Sequence, residues 1–314
     1  MSAAPYADLT PERVLAAVEA LDLPTDGRML ALNSYENRVY QIGLEDAAPV
    51  VAKFYRPGRW SDAAIAEEHA FAAELAAAEL PVVAPLLLHG RSLHHSGSHR
   101  LALYPRRGGR APSLESADHL QWMGRLIARI HLIGARERFQ RRGAIDLDTF
   151  LHAPRAAVLA SSLLPVQLQS RYAAAVDQLE PVLRQRFDQV QARSLRLHGD
   201  CHPGNVLWTD HGPHFVDLDD ARLGPAVQDL WMLATDSIAL NQLLEGYAEF
   251  RDFDYAELSL VEPLRALRQV HWAGWIAQRW NDPAFPQGFP FAGEARWWEQ
   301  HVGDLAEAAQ RLQE

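Results

Sequence analysis

Residues 197–220 read LHGDCHPGNVLWTDHGPHFVDLDD, a stretch that sets acids, histidines and an asparagine between short apolar runs. A segment built only to pack would not carry so many polar groups in so small a space. Asp200 and Asn205 lie five positions apart with Pro203 and Gly204 between them. Such turn formers put both residues on a loop entering the run 206–208. Asp217 follows a second short run, so a hairpin joining the two runs would bring Asp217 beside Asn205. A carboxylate and an amide oxygen there suit Mg2+, a hard ion that takes oxygen ligands and keeps waters and substrate phosphates as the rest. Asp200, close to that point, is placed to accept a hydroxyl proton.

The rest of the chain limits what this chemistry can serve. With 314 residues, 48% hydrophobic and 22% charged, it is long enough to bury a substantial core as one large or two smaller domains. Thirty Lys and Arg against 40 Asp and Glu leave a formal charge of -10. That balance argues against general binding to nucleic acid or anionic membranes. The first residues lack the basic and apolar blocks of a secretory signal, and no apolar run has the length of a membrane span. A cytoplasmic location follows as the expectation. Cys201 is the single cysteine, which excludes an internal disulfide framework and any multi-cysteine zinc site.

Two differently built halves emerge. Thr10 and Pro11 open a helix with Val14, Leu15, Val18 and Leu21 on its apolar face. Strand-like runs at 28–32, 38–43 and 49–54 form an expected antiparallel meander. Ser61 can cap a helix over 62–79, where Ile65, Glu68, Phe71 and Leu75 share one face. Further strands are expected at 82–88 and 100–104. The segment YPRRGGRAP at 104–112 breaks the pattern and marks a boundary. Helices are expected over 116–134, 166–187, 225–250, 254–281 and 294–313.

Taken with these halves, His198-Gly199-Asp200 through Asn205, followed by Asp217-Leu218-Asp219, resembles the H-G-D-x-x-x-x-N and D-x-D signature of the aminoglycoside phosphotransferase and choline kinase-like family, a branch of the protein-kinase-like fold. The stretches LNSYENRVYQ, VAKFYRPGRW, FVDLDDARLGPAVQDLWML, EPLRALR and DPAFPQGFP extend the similarity over most of the chain. They resemble a bacterial serine/threonine protein kinase branch of that fold that acts in the stress response. The resemblance implies an α+β, bilobal protein-kinase-like fold, with a small antiparallel-sheet lobe for nucleotide over 1–104 and a mainly helical catalytic and substrate lobe over 105–314. It implies ATP as co-substrate, Mg2+ as cofactor, and a protein serine or threonine as acceptor, the protein itself included. A small-molecule kinase acting on an aminoglycoside, choline or sugar-like alcohol stands as the alternative, as does a weakly active nucleotide-binding signalling module.

Carried over by residue, Asp200 resembles the family's proton acceptor, and Asn205 and Asp217 its metal ligands. Lys53 resembles the lysine that holds the nucleotide phosphates. Glu68 would be its ion-pair partner, with Glu67 in that role if the helix is rotated. Asp219 would support a second metal or only the loop, and Asp229 would brace the catalytic loop through backbone hydrogen bonds. One departure stands out: protein kinases use a glycine-rich loop over the phosphates, yet no glycine lies between Leu32 and Tyr40. Ser34 and Asn37 either bond phosphate or satisfy their own turn; Ser34 is the candidate phosphate contact.

Other features have plainer readings. Cys201 reads as a buried, unreactive thiol rather than a redox switch. His202 reads as a loop hydrogen-bonder, and His89, His94, His95 and His99 as a solvated hairpin tip rather than a metal site. Trp272, Trp275 and Ile276 read as core or cleft wall, although ring faces also attract cationic substrates. Arginines at 106, 107 and 110, with Arg136, Arg138, Arg141 and Arg142, form a candidate surface for an acidic protein partner.

Overall fold

The computed structural model describes residues 5–313. Thr10 accepts a hydrogen bond from Arg13 N and opens α1 (Pro11–Glu19), whose buried Val14 and Val18 pack on the first sheet. That sheet holds β1 (Thr25–Ala31), β2 (Arg38–Leu44), β3 (Val50–Phe54), β4 (His94–Ser96) and β5 (His99–Pro105) in the order β1-β2-β3-β5-β4, antiparallel throughout. The meander of three strands stands as expected. Lys53 pairs with Val39 on one side and Ala102 on the other, so it sits in the middle of the sheet. Ser61 caps α2 (Asp62–Ala77), accepting from Ala64 N at 3.2 Å.

The expected strand at 82–88 is not one. Pro81 and Pro85 remove backbone donors, and the remaining donors scatter: Val83 N bonds Phe215 O at 3.0 Å and Leu86 N bonds Leu103 O at 2.7 Å. The run ties the two lobes together instead. Of the histidines beyond it, His89 and His95 are exposed as expected, but the other two are not part of a solvated tip. His94 and His99 are buried, and His89, His95 and His99 each reach a separate aspartate, Asp22, Asp62 and Asp8, at 2.8–3.0 Å.

Beyond Pro105 the chain is mainly helical: α3 (Ala117–Gly134), a single π turn (Asp148–His152) running into α4 (Ala153–Ala160), and α5 (Val166–Val190). Short strands follow, β6 (Leu195–Arg196), β7 (Val206–Thr209), β8 (Gly212–Phe215) and β9 (Leu223–Gly224). The chain closes with α6 (Gln228–Trp231), α7 (Ser237–Ala248), α8 (Val261–Arg279), α9 (Ala284–Gly288) and α10 (Ala295–Gln313). The helix expected over 225–250 is thus two, because Asp236 caps a fresh start by accepting from Ala239 N at 2.8 Å. The one expected over 254–281 begins as a 3-10 turn (Tyr255–Leu260), and the helical turns at 148–160 escaped the sequence pattern.

Three large apolar clusters and a small one of Tyr55, Ile65 and Ala102 hold the described residues together. Phe71 and Leu75 of α2 join Met123 and Ile127 of α3, Phe215 and Leu230 in one. Tyr172, Leu179, Val270 and Trp298 centre a second among the C-terminal helices, and Ile42 and Phe54 a third under the sheet. α2 packs on both lobes: Phe71 and Leu75 on the helical one, and Ile65 against Tyr55 and Ala102 beside the strand that carries Lys53. No helix among the described residues is long and apolar enough to cross a membrane.

Candidate active site

The loop between β6 and β7 is hung from one buried carboxylate. Asp229 accepts from His198 N at 2.8 Å and from Gly199 N at 2.9 Å, and His131 Nε2 lies 3.1 Å from it. This is the bracing role expected of Asp229. Gly199 has a φ of +84°, and a Cβ there would overlap the Asp220 carbonyl, so glycine is demanded where protein kinases have arginine. β7 and β8 pair as the expected hairpin, Val206 opposite Phe215. Val216 N then bonds Asn205 O at 3.0 Å, which brings Asp217 beside Asn205. Asn205 Nδ2 donates to Asp200 O at 2.9 Å. Asp217 itself is left-handed, φ 60° and ψ 62°, a conformation that costs about 1 kcal/mol outside glycine.

Lys53 Nζ donates to Asp217 Oδ1 at 2.6 Å and lies 3.6 Å from Asp219 Oδ1. Burial alone would lower its pKa, but the charges of Asp217 and Asp219 outweigh that and hold it well above the usual lysine value. Glu68 does not form the ion pair expected of it. It is buried with Oε2 unpartnered, and burial pushes its pKa up to about 7. A carboxyl so reluctant to ionise leaves the ammonium to Asp217 and Asp219. Glu67 is excluded as the alternative, since it accepts from the backbone N–H groups of Gln140, Arg141 and Arg142 at 2.6–3.0 Å. Asp219 is buried, accepting from Asn37 Nδ2 at 3.0 Å and pairing with Arg59. The Asn37 side chain, its Oδ1 taken by Arg56 N at 3.1 Å, is committed to structure.

Asp200 Oδ1 accepts from Arg268 Nη1 at 2.6 Å, and His202 Nε2 is 3.4 Å from Oδ2. Burial raises the Asp200 pKa, yet the His202 hydrogen bond and the Arg268 charge bring it down to about 2. His202 also accepts from Gly204 N at 3.0 Å, the loop role expected of it. Cys201 is buried and its thiol is pushed well above the ordinary range by that burial, so it is inert.

Ser34, Lys53, Glu68, Asn205 and Asp217 line one cavity between the lobes. A second is lined by Asp200, Arg268, Trp272 and Trp275, and again by Ser34, Asn205 and Asp217. The two cavities therefore share the wall at which Asn205 and Asp217 stand. Trp272 and Trp275 are cleft wall, and Ile276 is core. The surface proposed for an acidic partner loses Arg142, which is buried and donates to Ala64 O and Ala221 O at 3.1 and 2.6 Å. Sequence reasoning also missed Arg59 and Arg268. Both stand in stretches already singled out, RPGRW and EPLRALR, but a single arginine carries no local signal of its partner.

A sheet lobe with a central lysine, facing a braced loop with an aspartate, an asparagine and a following aspartate, defines a two-lobed kinase-type phosphotransferase. The chain belongs to the phosphotransferase enzyme family, APH, which it matches over residues 29–261. It is 41% identical over 318 residues to stress response kinase A of Escherichia coli (strain K12), spanning 100% of this chain and 96% of that protein. It is 42% identical over 315 residues to serine/threonine protein kinase RdoA of Salmonella typhimurium (strain LT2), spanning 98% and 95%. Among solved structures, amicoumacin kinase hAmiN, in complex with AMP-PNP, Ca2+ and Ami, superposes with a TM-score of 0.70 at 17% identity, covering 97% of this chain and 96% of that one. The last likeness speaks for the fold alone.

Proposed function

We propose that the protein is a cytoplasmic, ATP- and Mg2+-dependent serine/threonine protein kinase of the stress response, able to phosphorylate itself. The observation that carries the transfer chemistry is the shared wall: Lys53 and Glu68 line only the first cavity, Asp200 only the second, and Asn205 and Asp217 both. Nucleotide in the first and acceptor in the second would meet where a phosphoryl group has to pass. The lobe division at 104/105 belongs to this reading, the sheet ending at Pro105.

The donor set fits a hard divalent ion. Asp217 has a half-exposed side chain, and with Asn205 Nδ2 bonded to Asp200 O the amide oxygen is free to ligate. Mg2+ there would neutralise the charge that builds on the phosphates during transfer. Lys53 gives up its bond to Asp217 Oδ1 and turns its ammonium to the phosphates, with Ser34 as a further contact. Asp200, ionised and weakly basic at about 2, orients the hydroxyl and takes its proton late, which suits a loose transition state. The protein acceptor rests on the full-length similarity to a protein named as a serine/threonine kinase. An aromatic wall of Trp272, Trp275 and Phe289 favours a small alcohol instead, and that is the second reading.

Incubation with labelled ATP and Mg2+, together with protein acceptors, an aminoglycoside and choline, followed by mass spectrometry, separates these. The expected result is phosphoserine or phosphothreonine, reduced roughly 10²- to 10⁴-fold in Asp200→Asn. Label on a small alcohol alone overturns the protein acceptor. Binding of ATP without transfer to anything leaves a signalling module.

A further inference from the structure

The stretch 282–290, DPAFPQGFP, lends only Phe289 to the cavities above, yet it grips the turn that lacks glycine. Asp282, 1% exposed in its side chain, accepts from Arg38 Nη2 at 2.7 Å on Oδ1 and from Arg56 Nη2 at 2.6 Å on Oδ2. The same two guanidinium groups hold the carbonyls of the turn. Arg56 donates to Tyr35 O at 3.2 Å and Glu36 O at 3.0 Å, and Arg38 to Tyr35 O at 3.3 Å and Asn37 O at 3.4 Å. The Glu36 side chain is tied to α8 by Arg279 Nε at 2.6 Å and by the Trp275 indole. Tyr35 packs on Phe289, ring centroids 4.6 Å apart, and a Cβ on Gly288 would overlap the Tyr35 ring.

With its carbonyls drawn to one side, the turn has its amides to spare: among the described residues, no hydrogen bond engages the backbone N–H groups of 33–37. A run of free N–H groups is what a phosphate-binding loop must present. Glycine-rich loops reach that state through backbone freedom. We infer that Asp282 is a positioning residue for the nucleotide: by anchoring Arg38 and Arg56 it pins the carbonyls of residues 35–37 and leaves the N–H groups for the phosphates of a nucleoside triphosphate. The helical lobe thereby shapes a binding element of the sheet lobe, and grip on the triphosphate depends on the two lobes being joined. This rests on the nucleotide reading of the first cavity.

The test compares ATP with adenosine, both with Mg2+, by calorimetry on the full chain, in wild type, Asp282→Asn, Arg38→Lys and Gly288→Ala. Wild type should bind ATP well above adenosine. Asp282→Asn and Arg38→Lys should weaken ATP by about tenfold or more, a change of about 1.4 kcal/mol, with adenosine affinity kept. KM for ATP should rise by more than kcat falls, a split that general destabilisation would not produce. If Asp282→Asn fails to fold, Arg38→Lys keeps the charge while losing the fork, and Gly288→Ala displaces Tyr35 without touching the ion pairs; both should show the same selective loss. Folded variants that keep the wild-type ratio of ATP to adenosine affinity overturn the inference while sparing the kinase reading. A wild type that does not bind ATP overturns both.

Discussion

Glu68 turns the buried side of the cleft into a measurable pH dependence. Its carboxyl is 2% exposed, and burial raises its pKa from 4.5 to about 7, against the pull of Lys53 and Arg142. A folded-state pKa above the unfolded value means the folded protein keeps a proton that the unfolded chain has released. The stabilisation is therefore complete below about pH 4.5 and is lost as pH rises through about 7. A tenfold difference in proton affinity between the two states is worth about 1.4 kcal/mol, so this group should remove about 2.5 kcal/mol between about pH 5 and about pH 8. Glu68→Gln keeps the shape and cannot ionise. Urea unfolding of both proteins across that range should show the stability difference moving in favour of the variant by about 2.5 kcal/mol. Glu257, also raised to about 7 by burial, titrates in both proteins and drops out of the difference. A constant offset between the two curves would refute the assignment, and with it the reason given for Lys53 pairing with Asp217 and Asp219 instead.

Two further substitutions probe the loop. Asp229→Asn replaces one acceptor oxygen by a donor, so either His198 N or Gly199 N loses its partner; a loss of about 1.5–3 kcal/mol in urea unfolding should accompany slower phosphate transfer, and unchanged values of both would remove Asp229 as the brace. Gly199→Ala drives a Cβ toward the Asp220 carbonyl at a left-handed position, so it should cost more than the roughly 1 kcal/mol of backbone strain alone; an unshifted melting temperature would show that the loop has room.

What the sequence revealed was local. Short strand-like runs located β2 and β3, and the two runs flanking a turn located the hairpin that brings Asp217 to Asn205, because each depends on neighbours within a turn or two. The run 82–88 misled because its apolar residues suit a strand, while Pro81 and Pro85, which withhold the donors, are punctuation that hydrophobicity does not weigh. Arg142 misled for a deeper reason: charged side chains are almost never fully buried unless paired, and its partners are carbonyls as far off in sequence as Asp219 and Ala221. Asp282 and Arg56 lie 226 positions apart, beyond the reach of any periodicity.

The need for cations around the acidic turn was nevertheless within reach. Asp217, Asp219 and Asp220 fall within four positions, and the structure buries Asp219 and keeps Asp220 largely shielded. Carboxylates that close cannot all ionise out of water without cations beside them. Burial raises the Asp220 pKa, yet Arg59 and Arg222 hold it well below the ordinary range, and Lys53 and Arg59 bring Asp219 down to about 2. A stretch as acidic as DLDD therefore demands that the fold deliver several cations from outside it. The dense basic segment after β3, RPGR, supplies one in Arg59 and, through Arg56, the link to Asp282. The same logic bears on the signature lysine: with burial raising the Glu68 pKa to about 7, the carboxylates that hold Lys53 are Asp217 at 2.6 Å and Asp219 at 3.6 Å, so on the function proposed above, releasing it to phosphate and admitting a divalent ion at Asp217 would be a single exchange of cations.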